Sequence, residues 1–248
     1  NWVGEPDFEA LVKLNMSGDL EQRAAIYARR AAKYAAPEKE HFEAPLFFSK
    51  ATSDSFEDSV EQPTDQTLLT QRATAAVTDF IARHADEPFF LYLPYSMPHT
   101  PLFRSEEFAG RSLGGRYGDV VEEIDASVGA VREALAEAGV LDKTLIVFTS
   151  DNGPHMEGGH DPKFFNSNGP LKGHKRDLYE GGIRVPFIAH WPGKIKAGTE
   201  TDIPVAMWDV LPTCLEIAEV ETPGRIDGIS YLPALLGKTA EQPRHEYL

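Results

Sequence analysis

The sequence predicts an α/β sandwich, in which a sheet lies between helices. Three segments carry this prediction: an amphipathic helix between Tyr117 and Gly139, and two short apolar strands at 89–93 and 144–149. The nearly continuous apolar runs of both strands are typical of strands covered on both faces, as in a parallel sheet. With 248 residues, of which 42% are hydrophobic, the chain is long enough to bury a sizeable core.

The first part of the chain contains two predicted helices separated by irregular sequence. The run 19–36 is rich in strong helix formers and lacks Gly and Pro. Residues 37–63 carry Pro, Ser, Asp and Glu without sustained periodicity, which predicts a long surface segment. The second helix is expected to begin at Pro63 and to end near His84.

The second part alternates predicted helices and strands. Five apolar residues step along one face of the helix between Tyr117 and Gly139, namely Val121, Ile124, Val128, Val131 and Leu135. Gly139 supplies the end of this helix. A third strand is expected at 185–191, and a further helix at 206–220 despite Pro212.

The charge and cysteine content exclude several classes of partner and site. The chain has 24 Lys and Arg against 39 Asp and Glu, and its formal charge of -15 repels nucleic acid and anionic lipid. No apolar run approaches the roughly 18 residues that span a bilayer. The single cysteine, Cys214, excludes an intrachain disulfide and a multi-thiolate metal site. We expect no nucleic acid and no membrane partner.

Polar residues follow the strand 144–149 directly. Asp151 and Asn152 can direct their oxygens to one ligand because Gly153 and Pro154 turn the chain there. A carboxylate and an amide carbonyl suit a hard cation such as calcium or magnesium, but two ligands are an incomplete set. An Asx-type turn that closes the strand would use the same residues.

Two further segments carry residues suited to acid–base or anion chemistry. His99 follows the strand 89–93, between Pro98 and Pro101, which stiffen the backbone. It is either a proton donor or an ordinary loop histidine. Lys175 lies in the run GPLKGHKRDLYEGGIRVP, where glycines permit tight turns. Its ammonium either holds an anionic oxygen or is simply solvated.

Three separated motifs give the chain a family resemblance. FFLYLPYSMPHTP, FTSDNGP and GPLKGHKRDLYEGGIRVPFIAHWPGKIKAG occur in the order found in type I sulfatases, and from about Gln62 to Leu248 the chain resembles bacterial arylsulfatases. The resemblance implies an alkaline-phosphatase-like fold with a large mixed sheet, sulfate-ester hydrolysis, a calcium ion and a formylglycine made from Cys or Ser. Residues 62–248 are expected to be the central part of the catalytic domain, and residues 1–61 a variable region.

The resemblance also implies roles for four residues. Asp151 and Asn152 correspond to the second pair of calcium ligands. His99 corresponds to the histidine that contacts the sulfate and its leaving oxygen. Lys175, five residues before Glu180 as in the family, corresponds to the lysine that bridges the sulfate and the leaving group. These roles make physical sense because sulfate-ester cleavage places negative charge on the departing oxygen, which a proton donor and a cation stabilise.

The nucleophile motif of the family does not occur in the 248 residues. The motif is Cys or Ser, any residue, Pro, a small residue and then Arg. Cys214 is followed by Leu215, and the run 96–98 imitates the motif but places Thr100 where Arg is required. We expect the chain to be a central piece of a sulfatase that is inactive by itself. By analogy with bacterial relatives, the whole protein is expected in the periplasm or secreted.

Two other functions stay open at this point. One is phosphomonoester, phosphodiester or phosphonate hydrolysis, which would call for extra His and Asp ligands for two zinc ions. Asn152 after Asp151, together with Lys175, fits sulfatases better. The other is a non-catalytic domain that binds sulfated glycans. If the chain is instead part of a sulfatase, we expect its substrate to be a small aryl or carbohydrate sulfate ester.

Overall fold

The computed structural model describes residues 46–51, 55–157 and 160–246, together with Glu21 and Ala25. The chain divides into two compact units. Unit 1 takes in Asn1–Ala134 and Gly153–Ile183, and unit 2 takes in Leu135–Asn152 and Arg184–Leu248. Glu21 and Ala25 are helical, and the rest of the helix predicted at 19–36 lies outside the described residues.

Unit 1 contains a hairpin that the sequence pattern does not predict. Strand β1 (Leu46–Ala51) pairs antiparallel with β2 (Phe56–Glu61), with Leu46 opposite Glu61. The expected irregular segment over 37–63 is therefore wrong for these residues. The pattern missed the hairpin because neither strand alternates apolar and polar residues, which is the usual signal of a half-buried strand.

Helix α1 (Leu69–His84) ends at the predicted residue but begins later than expected. A 3-10 turn, Gln66–Leu68, precedes it, and the side chain of Asp65 accepts a hydrogen bond from the Thr67 N–H at 3.0 Å. Asp65 thus caps the start of the helical segment by satisfying a free N–H group, a task that Pro63 cannot perform.

Helix α2 (Gly115–Glu137) is the longest in the described residues and confirms the clearest periodic pattern in the sequence. It ends where Gly139, with φ of 70°, reverses the chain. The Val140 N–H then donates to the Leu135 carbonyl at 2.9 Å, which satisfies a carbonyl at the helix end.

The buried face of α2 agrees only in part with the predicted apolar stripe, of which Ile124 and Leu135 are buried. Val121 is 43% exposed, whereas Asp119 and Glu123 are only 2% and 3% exposed. Both carboxylates accept backbone N–H groups from the preceding loop, Asp119 from Gly110 at 2.9 Å and Glu123 from Ser105 at 3.0 Å. These bonds offset the cost of burying charge, so a stripe of apolar residues alone does not identify the inward face.

The core of unit 1 forms where the segment around His99 packs on α2. Its residues are Met97, Leu102, Phe103, Val120 and Ile124, with Tyr95 and Tyr117 packed against them. Two single-turn helices, α3 (Pro162–Phe165) and α4 (Glu180–Ile183), lie later in the same unit. The core holds the backbone on both sides of His99.

Unit 2 contains the two later strands that the sequence predicts. Strand β3 (Ile146–Thr149) pairs antiparallel with β4 (Phe187–His190), and Phe148 lies opposite Ile188. These two side chains are 38% and 59% exposed. One face of this strand pair is therefore apolar and uncovered.

The expected mostly parallel sheet is not present in the described residues. Their strands form two antiparallel pairs, β1 with β2 and β3 with β4. The predicted strand 89–93 is not formed in the structure, and its Phe90 and Tyr92 are 70% and 75% exposed. An apolar run indicates that both faces of a strand can be buried. It does not determine whether the neighbouring strand is parallel or antiparallel.

The helix predicted at 206–220 is confirmed in shorter form. A 3-10 turn, Met207–Asp209, leads into α5 (Val210–Ile217), and α6 (Leu232–Leu235) follows. Pro212 fits because it lies in the first turn of α5, where its missing N–H costs no hydrogen bond. Among the described residues, no helix is both long and apolar enough to cross a membrane.

Candidate functional site

His99 presents one ring nitrogen that no neighbouring protein group uses. Its Nδ1–H donates to the Thr100 carbonyl at 2.7 Å. This bond places the proton of the neutral ring on Nδ1 and leaves Nε2 as the acceptor. Within the described ranges Nε2 has no hydrogen-bond partner, and the residue is exposed. Protonation of the ring would turn Nε2 into an N–H donor at the same position.

The loop that carries Lys175 is built on close contacts between backbone atoms. The Gly181 N–H donates to the Lys172 carbonyl at 2.7 Å, and a Cβ at Gly181 would collide with the Gly173 carbonyl oxygen. Gly173 has φ of 94°, a conformation that glycine adopts without strain. The tight turns expected from the sequence are therefore present.

The ammonium of Lys175 stays available to a ligand. The backbone N–H of Lys175 donates to the Pro154 carbonyl at 2.8 Å, which fixes the start of the side chain. No hydrogen bond or ion pair in the described part of the chain engages its ammonium. The neighbouring Arg176, in contrast, pairs with Glu157 at 2.6 Å. Lys175 can therefore offer an unpaired positive charge to an anion.

One imidazole, that of His155, interacts with both His99 and Lys175. Its ring centroid lies 6.1 Å from that of His99. Burial lowers the pKa of His155, and the charges of His99 and Lys175 lower it further. The Pro98 carbonyl and the Glu157 carboxylate act in the opposite direction. The structure thus gathers the two predicted anion-binding residues around a neutral histidine.

A second histidine, His160, supports His155 from the buried side. Its Nδ1–H donates to the His155 carbonyl at 2.6 Å, and its Nε2 accepts from the Ser167 hydroxyl at 3.1 Å. The ring stacks on Tyr117 of α2, with 4.0 Å between centroids. Burial, the largest cause, and the nearby His155 imidazole lower the pKa of His160 to about 4. His160 is therefore neutral at pH 7.

We expect His160 to make the chain sensitive to acid. Its pKa falls from 6.5 in the unfolded chain to about 4 in the folded one, so the unfolded state binds more protons between these values. The stabilisation is complete above pH 6.5 and is lost as the pH falls towards 4. At 1.36 kcal/mol per pKa unit, the loss is about 3 kcal/mol.

The measurement is urea unfolding of the chain at pH 7 and pH 4, with His160→Gln as the comparison. The wild-type chain should lose about 3 kcal/mol more than the variant on acidification. His84→Gln, which changes a histidine at the end of α1, should keep the wild-type pH dependence. Equal losses for the wild type and His160→Gln would contradict the prediction.

Asp151 and Asn152 follow β3 in unit 2. Asp151 is exposed, and its carboxylate accepts no hydrogen bond from the residues that the structure describes. An Asx-type turn would require such a bond to a nearby N–H, so the geometry does not support that alternative. The Ser150 hydroxyl donates to the backbone carbonyl of Asn152 at 3.1 Å. Both side chains are thus free to act as ligands.

The oxygen donors of this pair fit a hard cation such as calcium, but they do not complete a site. The described residues contain no group of three or more His, Cys, Asp or Glu side chains that could hold a metal. A calcium ion takes six to eight oxygens, so further ligands must come from other residues.

Neither His155 nor His160 is among the site residues that the sequence predicts. His155 follows the SDNGP run at the end of β3, in the position where loops of α/β proteins bind ligands, and that signal could have identified it. His160 has no such local signal, because its role depends on Tyr117 and Ser167, one of which lies more than 40 residues away.

Comparisons with known proteins agree on one family. The family model described as Sulfatase matches residues 24–220. The steryl-sulfatase of Rattus norvegicus is 43% identical over 192 residues, which cover 76% of this chain and 33% of that protein. The N-acetylgalactosamine-6-sulfatase of Mus musculus is 39% identical over 193 residues, covering 76% of this chain and 37% of that protein.

A solved structure gives the same result for the fold. The crystal structure of the PsFucS1 sulfatase from Pseudoalteromonas sp. matches with a TM-score of 0.67 and 29% identity, over 76% of this chain and 39% of that chain. The chain therefore spans about a third of the length of the curated relatives that it matches.

Proposed function

The chain belongs to the sulfatase family, and from this premise we propose that it is the central part of a sulfuric ester hydrolase. The substrate is a small aryl or carbohydrate sulfate ester. One observation carries the proposal: the ring of His99 lies 6.1 Å from that of His155, and the backbone of Lys175 is hydrogen-bonded to Pro154, the residue before His155. Cleavage of a sulfate ester calls for a cation that binds the sulfate and a proton donor for the departing oxygen.

His99 and Lys175 have complementary tasks in this proposal. Cleavage of the ester bond leaves negative charge on the departing oxygen. The Lys175 ammonium stabilises that charge and holds a sulfate oxygen. The protonated His99 ring donates a proton from Nε2 to the departing oxygen, since its Nδ1–H is committed to the Thr100 carbonyl.

Other parts of the site come from outside these 248 residues. A formylglycine made from Cys or Ser would supply the nucleophile, and calcium held by Asp151, Asn152 and further ligands would neutralise charge on the sulfate. Magnesium would compete if the completed site were small. We use the term parent protein for the full-length protein that carries this chain together with the family's nucleophile motif.

The parent protein also accounts for the uncovered apolar faces. We propose that residues 62–248 form the central part of an alkaline-phosphatase-like catalytic domain and that residues 1–61 are a variable region. In that domain, further strands extend the pair of β3 and β4 into a larger mixed sheet, and the added parts of the domain cover Phe148 and Ile188. By analogy with bacterial relatives, we place the parent protein in the periplasm or outside the cell.

The test is turnover of sulfate esters by the purified parent protein. The panel contains 4-nitrophenyl sulfate, a steroid sulfate and N-acetylgalactosamine 6-sulfate, because relatives are named for the last two classes. Matched phosphate esters serve as controls. We expect hydrolysis of at least one sulfate ester, loss of activity on removal of calcium by chelation, and recovery when calcium is added back.

Three outcomes would contradict the proposal. Faster turnover of the phosphate esters would favour the phosphohydrolases of the same superfamily. Calorimetric binding of sulfated sugars without turnover would favour a non-catalytic binding domain. Turnover of an aryl sulfate by residues 1–248 alone, abolished in Lys175→Ala, would show that the nucleophile lies within this chain.

A further inference from the structure

The ring of His155 has a fixed orientation. It lies near His99 and Lys175, the two residues to which we assign the chemistry. Its Nδ1 accepts a hydrogen bond from the Glu157 backbone N–H at 3.3 Å, which requires a lone pair on Nδ1. The proton of the neutral ring therefore lies on Nε2. This atom is fully enclosed and makes no hydrogen bond of standard geometry. The carbonyl of Pro98, the residue before His99, opposes the lowering of the pKa of His155 by burial.

The main chain next to His155 contacts the loop that carries Lys175. The Pro154 carbonyl, directly before His155, accepts the Lys175 N–H at 2.8 Å. Residues 154 and 155 thus contact the loop of His99 through a side chain and the loop of Lys175 through the main chain. A shift of this short segment would change the distance between His99 and Lys175.

The buried histidine behind this segment limits such shifts. His160 donates to the His155 carbonyl, accepts from Ser167 and stacks on Tyr117. With only 5% of its surface exposed, it has little room to rotate. His160 uses both ring nitrogens, Nδ1 as donor and Nε2 as acceptor, whereas His155 uses Nδ1 as acceptor.

We propose that His155 is a positioning residue, which holds the imidazole of His99 and the ammonium of Lys175 at the spacing needed for sulfate-ester cleavage. It does so as the neutral Nε2–H tautomer, with His160 as its support. The inference rests on the proposed function. His155 itself does not touch the reacting atoms in this assignment, so its loss should affect the rate of the chemical step more than substrate binding.

The kinetic test compares His155→Ala and His155→Gln in the parent protein. The alanine variant removes the ring and should lower kcat about ten- to a hundredfold, with KM changed less than about threefold. The glutamine variant keeps an N–H donor near the position of Nε2 and should recover most of the activity. His84→Ala, on α1, serves as the matched control and should behave as the wild type.

A spectroscopic test is independent of turnover. Long-range proton–nitrogen correlation spectra of the histidine rings in the parent protein should show the Nε2–H tautomer for His155 at pH 7. The ring signals of His99 should shift in His155→Ala and stay unchanged in His84→Ala. This measurement distinguishes a failed positioning role from a failed proposed function, because it does not require a substrate.

Several outcomes would overturn the inference. A rise in KM with unchanged kcat would make His155 a substrate-binding residue. An Nδ1–H tautomer, or unchanged His99 signals in His155→Ala, would remove the structural basis. If the alanine variant fails to fold, a glutamine variant that folds but shows the full loss of kcat would overturn it as well. A wild-type protein that hydrolyses no sulfate ester would instead contradict the proposed function.

Discussion

Replacement of Lys175 by alanine in the parent protein should lower kcat/KM for sulfate esters by about 10²- to 10³-fold. The reason is electrostatic: the ammonium has no competing partner in the described residues, so its charge is free to stabilise the departing oxygen. The loss should be larger for an alcohol leaving group than for 4-nitrophenol, since an alkoxide needs more stabilisation than a phenolate.

Two comparison variants sharpen this measurement. Lys196→Ala removes an exposed lysine that lies in unit 2, whereas Lys175 lies in unit 1, and should leave kcat/KM unchanged. Lys175→Arg keeps the charge but replaces a compact ammonium by a planar group, so it should recover only part of the activity. A loss below about tenfold in Lys175→Ala, or an equal loss for both leaving groups, would contradict the assigned role.

The largest effect on stability is expected for Asp119. Its carboxylate, 2% exposed, accepts the N–H groups of Gly110 at 2.9 Å and Ser112 at 2.8 Å and lies 3.4 Å from Nε of Arg104. Asp119→Ala leaves these donors without their acceptor and should lower the free energy of unfolding by about 3–5 kcal/mol. Urea unfolding at pH 7 measures the change.

The control for this variant lies on the same helix. Asp125 is exposed on α2, and Asp125→Ala should change the free energy of unfolding by less than about 0.5 kcal/mol. Asp119→Asn keeps one acceptor oxygen and should lie between the alanine variant and the wild type. Similar values for Asp119→Ala and Asp125→Ala would show that the bonds to the loop do not stabilise the fold.

The proposed metal ligands show how much of the site the local sequence predicts. Asp151 and Asn152 were identified from their place after a strand, and the structure leaves both side chains free. Their partners in a complete calcium site belong to other residues, so the pair stays a proposal. The same holds for His99 and Lys175, whose spacing depends on His155, a residue that the sequence pattern did not single out.

The sequence by itself determined the features that depend on neighbouring residues. The end of α1 at His84, the end of α2 near Gly139 and the glycine-based turns around Lys175 follow from local periodicity and from backbone freedom at glycine. These features need no knowledge of what packs against them.

Only the tertiary structure decided which distant segments meet. It paired β3 with β4 antiparallel, turned Asp119 inwards and Val121 outwards, and brought His155 beside His99. Strand direction, burial of a carboxylate and contact between loops all depend on groups far apart in the chain. Their free energies come from hydrogen bonds and packing that exist only once the chain has folded, so no local pattern in the sequence encodes them.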